Sequence, residues 1–513
     1  MNFAISRTLD QAGVVRLAEL LALKLRAGDY VALRGDLGAG KTTFARALIR
    51  ALLCDDAAEV PSPTFSLRQE YAARRLTVTH FDFYRLGSPE EAAELDLEEA
   101  METGAVVVEW PERAAELLPT NRIDITLAET AEPDVRKLVL LAHGDTAARV
   151  VRLSAILAFL DALPDWQNAR IAYLQGDAST RSYARLSGAG GTTALLMDAP
   201  RQPDGPPIRD GKPYSRIAHL AEDVRPFSAI GRTLRAAGLS APVILAEDLD
   251  AGLMLIEDLG DRVFAAEVAR DPAVQEELWR AAVDVLVALR GVPVPDRLPL
   301  ADGSTHPMPV YDRGALQIEI ELLLDWYWPA LHGGPVPEDA RAEFLALWGA
   351  VFDRLERQPP AWVLRDFHSP NLIWLPDRTG TARVGVIDFQ DAQVGSAGYD
   401  LASLLQDARV DVPQALEARL LAHYVQEAAR REPGFDQAAF AFAYAALGAQ
   451  RSTKILGIFV RLARRDGKAQ YLAHLPRMWG YLERNLRNSE LAGLAAWYGR
   501  HFAPDARLGT LLR

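Results

Sequence analysis

One cysteine, Cys54, stands in 513 residues. No intrachain disulfide is possible, so packing alone must hold the fold, as is usual in a reducing cytosol. Lysine is nearly as scarce. The chain has six, and between Lys137 and Lys454 the only one is Lys212. No stretch approaches the roughly 18 uncharged apolar residues of a membrane span. The first residues, MNFAISRTLDQAG, lack the basic-then-apolar layout of a secretion signal. A cytoplasmic protein that engages no membrane is expected. Long basic runs are missing too, and the net charge is −13. A large cationic face that grips nucleic acid directly and tightly is therefore not expected.

What is present is an ordinary globular mixture, 49% hydrophobic and 24% charged, which rules out wholesale disorder. At roughly 150 residues per domain, the length suits two to four folded units. The acidic excess does not divide them. Residues 1–150 hold 17 basic against 24 acidic side chains, and the remainder 39 against 45. Pattern divides them instead. Up to about residue 145, strand-like runs (29–35, 76–83, 105–110, 122–127 and 136–142) alternate with helices starting near Lys41, Pro89 and Pro111, which predicts an α/β sheet. His143-Gly144-Asp145 supplies a turn, and a helix follows with Leu153, Ile156, Leu157 and Leu160 at helical spacing. Further strand-like runs lie at 170–174, 182–186, 193–197 and 254–257. Beyond about 262 the pattern is mostly helical, except at 361–365, 371–375 and 383–389. A strand-rich front and helix-rich back predict two lobes. The Pro/Gly-rich segment Ala199–Tyr214 is expected to be an exposed loop.

In the first block, Gly35-Asp36-Leu37-Gly38-Ala39-Gly40-Lys41-Thr42 fits G-x-x-x-x-G-K-[ST], with an apolar strand before it and an apolar-periodic helix after it. Such a loop turns backbone N–H groups toward phosphates at the positive end of a helix. Lys41 can reach the β/γ-phosphates and the Thr42 hydroxyl a Mg²⁺ ion, with Thr43 next in the helix. The metal also needs a carboxylate from a neighbouring strand. Asp82 in HFDFYR ends an alternating strand and suits that role, the alternative being a solvated strand-end carboxylate. Glu109 in VVVEW ends another strand and could orient a water or complete the metal shell. Thr64 in PSPTF could sense the γ-phosphate, or be a plain turn residue.

Taken in order, GDLGAGKTTFARAL, SPTF, HFDFYRL and VVEWPER resemble the bacterial TsaE-type ATPases over about residues 5–145. The resemblance implies a small ATP-binding P-loop ATPase that docks on TsaD and TsaB type proteins. It would support N6-threonylcarbamoyladenosine formation at position 37 of tRNA. It assigns Gly35, Gly38, Gly40, Lys41, Thr42 and Thr43 to the nucleotide, and Thr42 and Asp82 to Mg²⁺. Thr64 takes a switch role, Glu109 supports hydrolysis, and Trp110 lies at the nucleotide or partner face.

The second block carries LRDFHSPN at Leu364–Asn371 and VIDFQ at Val386–Gln390. An Asp, an Asn five residues on, and an Asp ending a later apolar strand are what kinase-type phosphoryl transfer needs. Asp366 would orient the acceptor hydroxyl, and Asn371 and Asp388 would bind Mg²⁺. A structural role is expected for His368, and Asp400 is expected to brace the catalytic loop. Upstream, QGDASTRSY sits between two strands, where Ser179, Thr180 and Arg181 could close over phosphates or form an ordinary hairpin loop. Glu257 lies where the strand-rich lobe ends, in IEDLG, which resembles a linker that reads an adenine edge.

These motifs resemble the aminoglycoside-phosphotransferase and choline-kinase superfamily. QGDASTRSYAR, LLMDAP, IEDLGD, LRDFHSPNLIW and VIDFQDAQVGSAGYDLASL are most similar to the AmgK-type amino-sugar kinases, over about residues 152–495. The resemblance implies ATP-dependent phosphorylation of the anomeric hydroxyl of N-acetylmuramate and N-acetylglucosamine, in cell-wall recycling, with Asp366 as base. The expected architecture is an α/β P-loop NTPase domain, 1–147, followed by a two-lobed α+β protein-kinase-like (aminoglycoside phosphotransferase) domain, 152–513. Its strand-rich lobe would be 152–258 and its helical lobe 262–513. Two departures stand out. The strand that carries the superfamily's phosphate-binding lysine reads TALLMD, without lysine, and Leu364 stands where histidine is usual. Arg181 is the proposed substitute charge. Two alternatives stay open: a non-catalytic kinase-fold module, or a kinase for an aminoglycoside or choline. For a polycationic acceptor, Glu319, Glu321 and Asp325 are suggestive. The stripe Trp326-Tyr327-Trp328 is expected to be lobe core, with a sugar-stacking platform as the other reading.

Overall fold

The computed structural model describes residues 3–174 and 181–509. The chain forms two compact units, Met1–Pro200 with Leu245–Asp258, and Arg201–Ile244 with Leu259–Arg513. Among the described residues no helix is long and apolar enough to cross a membrane.

The first unit contains a seven-stranded sheet. Its strands are β1 (Phe3–Asp10), β2 (Tyr30–Arg34), β3 (Arg68–Tyr71), β4 (Thr77–Asp82), β5 (Gly104–Glu109), β6 (Arg122–Glu129) and β7 (Val135–His143). They lie in the order β1-β7-β6-β2-β5-β4-β3. The four central strands, β6, β2, β5 and β4, are parallel, and the edge pairs are antiparallel. A parallel sheet is covered on both faces, so its strands are apolar throughout rather than alternating. Val31, Leu33 and Val107 pack on one side with α1 (Gln11–Ala22) and α2 (Lys41–Leu53). Tyr30, Ala32, Val106 and Val108 pack on the other with Phe81 and Phe83. Three elements here go beyond the sequence pattern. β1 is a largely part-exposed edge strand, β3 is the short polar edge RQEY, and α1 is started by Asp10, whose side chain accepts from Gly13 N at 2.8 Å. The helix expected at Pro111 is instead a 3₁₀ helix, Pro111–Leu117.

After β7 comes α3 (Ala147–Asp161), which buries Leu153, Ile156, Leu157 and Leu160. A second sheet follows from β8 (Arg170–Leu174), β9 (Ser182–Ser187), β10 (Thr193–Asp198), β11 (Ile244–Asp248) and β12 (Leu253–Glu257), in the order β11-β12-β10-β9-β8. One face of it, through Ile171, Leu186, Leu196 and Leu255, belongs to the same apolar core as Leu17 and Leu20 of α1 and Leu48 of α2. Polar ties reinforce that continuity. Glu19 of α1, 2% exposed, accepts from Arg170 Nε at 2.6 Å and from Ile171 N at 2.9 Å. Arg152 of α3 donates to Asp198 at 2.7 Å, and Lys24 pairs with the same carboxylate. The glycine-loop block and the strand-rich lobe are thus packed as one body.

The second unit holds α4 (Arg225–Ala236), α5 (Gln275–Leu289), α6 (Arg313–Leu322) and α7 (Glu338–Leu355). Four short strands follow: β13 (Ala361–Val363), β14 (Leu372–Trp374), β15 (Val384–Val386) and β16 (Gln393–Gly395). Then come α8 (Gly398–Leu405) and α9 (Gln437–Asp466). β14 pairs with β15, and β13 with β16. Tyr327 and Trp328 are core residues here, among Phe344, Trp348, Trp479 and Trp497, whereas Trp326 is half-buried. The segment expected to be only loop contains a hairpin, Pro207–Arg209 against Lys212–Pro213. Asp210 (φ 49°) and Gly211 (φ 71°) make its two-residue turn, the Asp-Gly chemistry that such hairpins favour.

Candidate functional site

The parallel register of the first sheet decides where its polar side chains meet. β2, β5 and β4 are neighbours, and Glu109 is in register with both Leu33 and Asp82. The glycine loop leaves β2 at the same sheet edge, where α/β sheets bind ligands. Gly35 has φ +136°, and a Cβ there would stand 2.2 Å from the Leu127 carbonyl oxygen. Gly38 and Gly40 also have positive φ but open onto space. Lys41 begins α2 and donates to the carbonyls of Gly35 (2.8 Å) and Asp36 (2.9 Å), with its ammonium 3.7 Å from the Trp110 ring centroid. Desolvation lowers its pKa. The first-turn N–H groups of Lys41, Thr42 and Thr43 have no intrahelical partner by helix geometry and face the loop.

Thr42 Oγ1 donates to Glu109 Oε2 at 2.9 Å, and Thr64 Oγ1 to Asp82 Oδ2 at 2.8 Å. Two further residues join that sequence reasoning did not single out. Ser62 Oγ donates to Asp82 Oδ2 at 2.7 Å, and fully buried His80 lies 3.0 Å from Glu109 Oε1 through Nε2. The signal for His80 was the alternation of β4, which puts residues 80 and 82 on one face. Lys41, Thr42, Glu109, His80 and Trp110 therefore form one connected group, and Thr64, Ser62 and Asp82 another beside it. The cradle fits a nucleoside phosphate: an ammonium resting on loop carbonyls, free first-turn N–H groups, and a hydroxyl and carboxylates within reach of a cation.

In the strand-rich lobe, Glu257 ends β12 in register with Ala194 of β10. β10 carries no lysine, and its terminal carboxylate is engaged by Lys24 and Arg152. Arg181 immediately precedes β9. Ser179 and Thr180 lie outside the described residues.

The second unit assembles the Asp–Asn–Asp set. The loop between β13 and β14 carries Asp366 and Asn371, and Asp388 follows β15. Asn371 Nδ2 donates to the Asp366 carbonyl (3.0 Å) and lies 3.3 Å from Asp388 Oδ2. Gln390 Nε2 donates to Asp388 Oδ1 at 2.9 Å. Arg365 and Asp388 both have positive φ, 68° and 59°, the kind of strain that persists where a site over-determines the backbone. Among the described residues no three His, Cys, Asp or Glu side chains converge on a metal position. An Asn–Asp pair still suits Mg²⁺, which takes one or two carboxylates and completes its shell from phosphates and water.

Asp400, in α8, accepts from Leu364 N at 2.5 Å and Arg365 N at 2.9 Å, and so braces the loop beside Asp366. Burial pushes its pKa up to about 7, and the Asp366 charge adds to the shift. The folded-state value is above the unfolded one, so this contribution to stability is complete below about pH 4 and lost as pH rises through about 7. Between pH 5 and 8 the wild type should lose about 2–3 kcal/mol relative to Asp400→Asn, at 1.36 kcal/mol per unit. Denaturant melts at both pH values check this, and parallel stabilities would refute it. His368 is half-buried, its pKa lowered by desolvation, which suits a structural role.

Arg365 makes a buried ion pair with Glu319, and Lys454 Nζ donates to the same carboxylate at 2.7 Å. Burial opposes ionisation of Glu319, but Lys454 and Arg365 outweigh it and hold its carboxyl below the ordinary value. Glu321 pairs with Arg209, and Asp325 with Arg341 at 2.5 Å. All three acids that suggested a polycation site are therefore already neutralised within the fold.

The family profile of "Threonylcarbamoyl adenosine biosynthesis protein TsaE" matches residues 8–138, and that of "Phosphotransferase enzyme family" matches residues 170–440. An N-acetylmuramate/N-acetylglucosamine kinase of Caulobacter vibrioides is 41% identical over 367 residues, 69% of this chain and 98% of that one. One from Pseudomonas aeruginosa is 35% identical over 327 residues, 62% of this chain and 84% of its own length. The tRNA threonylcarbamoyladenosine biosynthesis protein TsaE of Rickettsia felis is 38% identical over 149 residues, 29% of this chain and 82% of its own. The chain is thus an ATP-using enzyme that joins two families, belonging through its N-terminal part to the TsaE family and through its C-terminal part to the phosphotransferase enzyme family.

Proposed function

We propose that this is a bifunctional cytoplasmic enzyme. Its C-terminal part phosphorylates the anomeric hydroxyl of N-acetylmuramate and N-acetylglucosamine in cell-wall recycling. Its N-terminal part is a P-loop ATPase that works with TsaD and TsaB type proteins in N6-threonylcarbamoyladenosine formation at position 37 of tRNA. The observation that carries the kinase reading is the convergence of Asn371 on both Asp366 and Asp388. Bound Mg·ATP supplies the phosphoryl group and neutralises its charge. Asn371 and Asp388 would hold the metal, and Gln390 fixes the Asp388 carboxylate. Asp366 would align the sugar hydroxyl and take its proton as the new oxygen–phosphorus bond forms and the bond from the γ-phosphorus to the oxygen of the departing ADP breaks. Glu257, Ser179, Thr180 and Arg181 are assigned to the nucleotide in the strand-rich lobe.

In the N-terminal part, Gly35, Gly38, Gly40, Lys41, Thr42 and Thr43 would cradle the phosphates. Thr42 and Asp82 would serve Mg²⁺, Thr64 would respond to the γ-phosphate, and Glu109, positioned by its contact with His80, would orient the attacking water. Lys41 sits over Trp110, so nucleotide binding should be visible in Trp110 fluorescence. Lys41→Ala is expected to weaken nucleotide-induced quenching roughly tenfold or more, as loss of a charge-assisted contact does. Unchanged binding would remove Lys41 from the site.

The kinase reading is tested by ADP release from the full chain with Mg·ATP against N-acetylmuramate, N-acetylglucosamine, choline and kanamycin. Turnover on the acetylated sugars alone is expected. The paired state of Glu319, Glu321 and Asp325 weighs against kanamycin and choline. Turnover on none of the four would favour a non-catalytic kinase fold.

A further inference from the structure

The second unit contains a cavity of about 570 Å³, within the usual range for small-molecule sites. Its wall includes Lys212, Arg216, His219, Arg225, His306 and Gln390. Two sets of bonds place it beside the phosphoryl-transfer residues. Arg365, next to Asp366, donates to the Ala218 carbonyl at 2.6 Å, just before wall residue His219. Asp391, next to Gln390, accepts from wall residue Ala221 N at 2.6 Å.

Gln390 is 4% exposed, and its Nε2 must face Asp388, because a carboxylate only accepts. That orientation leaves Oε1 buried with no hydrogen-bond partner, a state that costs free energy unless a ligand donates to it. The cations of the wall are not equivalent. Arg216 pairs with Asp204 at 2.7 Å, and Arg225 with Asp223 at 3.3 Å. The Lys212 ammonium has no hydrogen bond or ion pair among the described residues. It is held out on the Asp210-Gly211 hairpin, which Arg209 anchors to Glu321.

We propose that this cavity is the acceptor site, in which Gln390 Oε1 accepts from a sugar hydroxyl or amide N–H and Lys212 pairs with the carboxylate of a carboxylate-bearing amino sugar. The inference rests on the kinase reading above. N-acetylmuramate carries a lactyl carboxylate that N-acetylglucosamine lacks, so Lys212 separates the two by charge alone.

The test uses the full chain with Mg·ATP and compares KM for each sugar in wild type, Lys212→Ala and Lys212→Arg. In Lys212→Ala, KM for N-acetylmuramate should rise on the order of 10- to 100-fold, as loss of a charge-assisted contact implies. KM for N-acetylglucosamine and for ATP should stay within about twofold, and Lys212→Arg should restore most of the loss. Equal changes for both sugars, no change for either, or a rise in KM for ATP would overturn the assignment while leaving the kinase reading intact. Wild-type chain inert toward both sugars would overturn both.

Discussion

Asp366→Asn is expected to lower kcat for amino-sugar phosphorylation by on the order of 10²- to 10⁴-fold, the range for loss of a positioned acid–base group. KM for ATP should move by less than about threefold, because the substitution removes a contact made to the acceptor and not to the nucleotide. The shape of the site makes this a clean comparison. The Asp366 carbonyl, not its carboxylate, takes the hydrogen bond from Asn371. Asp400 anchors the preceding backbone through Leu364 and Arg365. The loop therefore keeps its support when the carboxylate becomes an amide. The same variant carries an internal control. The Asp366 charge helps raise the Asp400 pKa, so in this variant the loss of stability assigned to Asp400 should be smaller and should end at lower pH. A kcat within about threefold of wild type would remove Asp366 from the reaction.

How far the sequence foretold this depends on the length scale of each signal. Strand β8 at 170–174 and the buried stripe of α3 followed directly from local periodicity. So did the glycine loop, because phosphate-binding geometry is set by consecutive residues. Asp366, Asn371 and Asp388 were legible as a motif, since the hairpin β14–β15 that brings them together is itself local. What was not legible depends on distant partners. Glu319 read as a possible contact for a polycationic acceptor, but α9 delivers Lys454 and the loop after β13 delivers Arg365, and a candidate acceptor contact becomes a buried brace. Lys212 looked like a loop residue because a two-residue hairpin leaves almost no periodicity to read. Gln390 is ordinary in composition, and only the orientation imposed by Asp388 leaves its oxygen unpartnered. Asp82 stands beside Glu109 because parallel register places strand ends side by side, and Thr42 and Thr64 reach these carboxylates from the start of α2 and the segment before β3, which no spacing along the chain records.

The deepest departure from a local reading is the core shared by the glycine-loop block and the strand-rich lobe, and it carries the second large prediction. A chain that starts at Ala147 should fail to form a stable strand-rich lobe. Ile171 on β8 is 4% exposed only because α1 and α2 pack against that strand. Leu153, Ile156, Leu157 and Leu160 belong to α3, which lies against β1 and β7. Uncovering side chains of this size costs about 1.5–3 kcal/mol each, so several together rival the roughly 5–15 kcal/mol by which a whole domain is stable. The Ile171 N–H would also lose its acceptor, Glu19, inside the fold. Amide hydrogen exchange should therefore find β8 to β10 unprotected in the shortened chain and protected in the full one, and kinase turnover should fall with that protection. A single substitution should report the same coupling. Glu19→Ala, a change in the N-terminal block, should speed exchange at Ile171 by on the order of 10- to 100-fold, since an orphaned buried donor costs about 1–3 kcal/mol. A shortened chain that melts within about 2 °C of the full one and keeps its turnover would show that the two blocks touch without supporting each other.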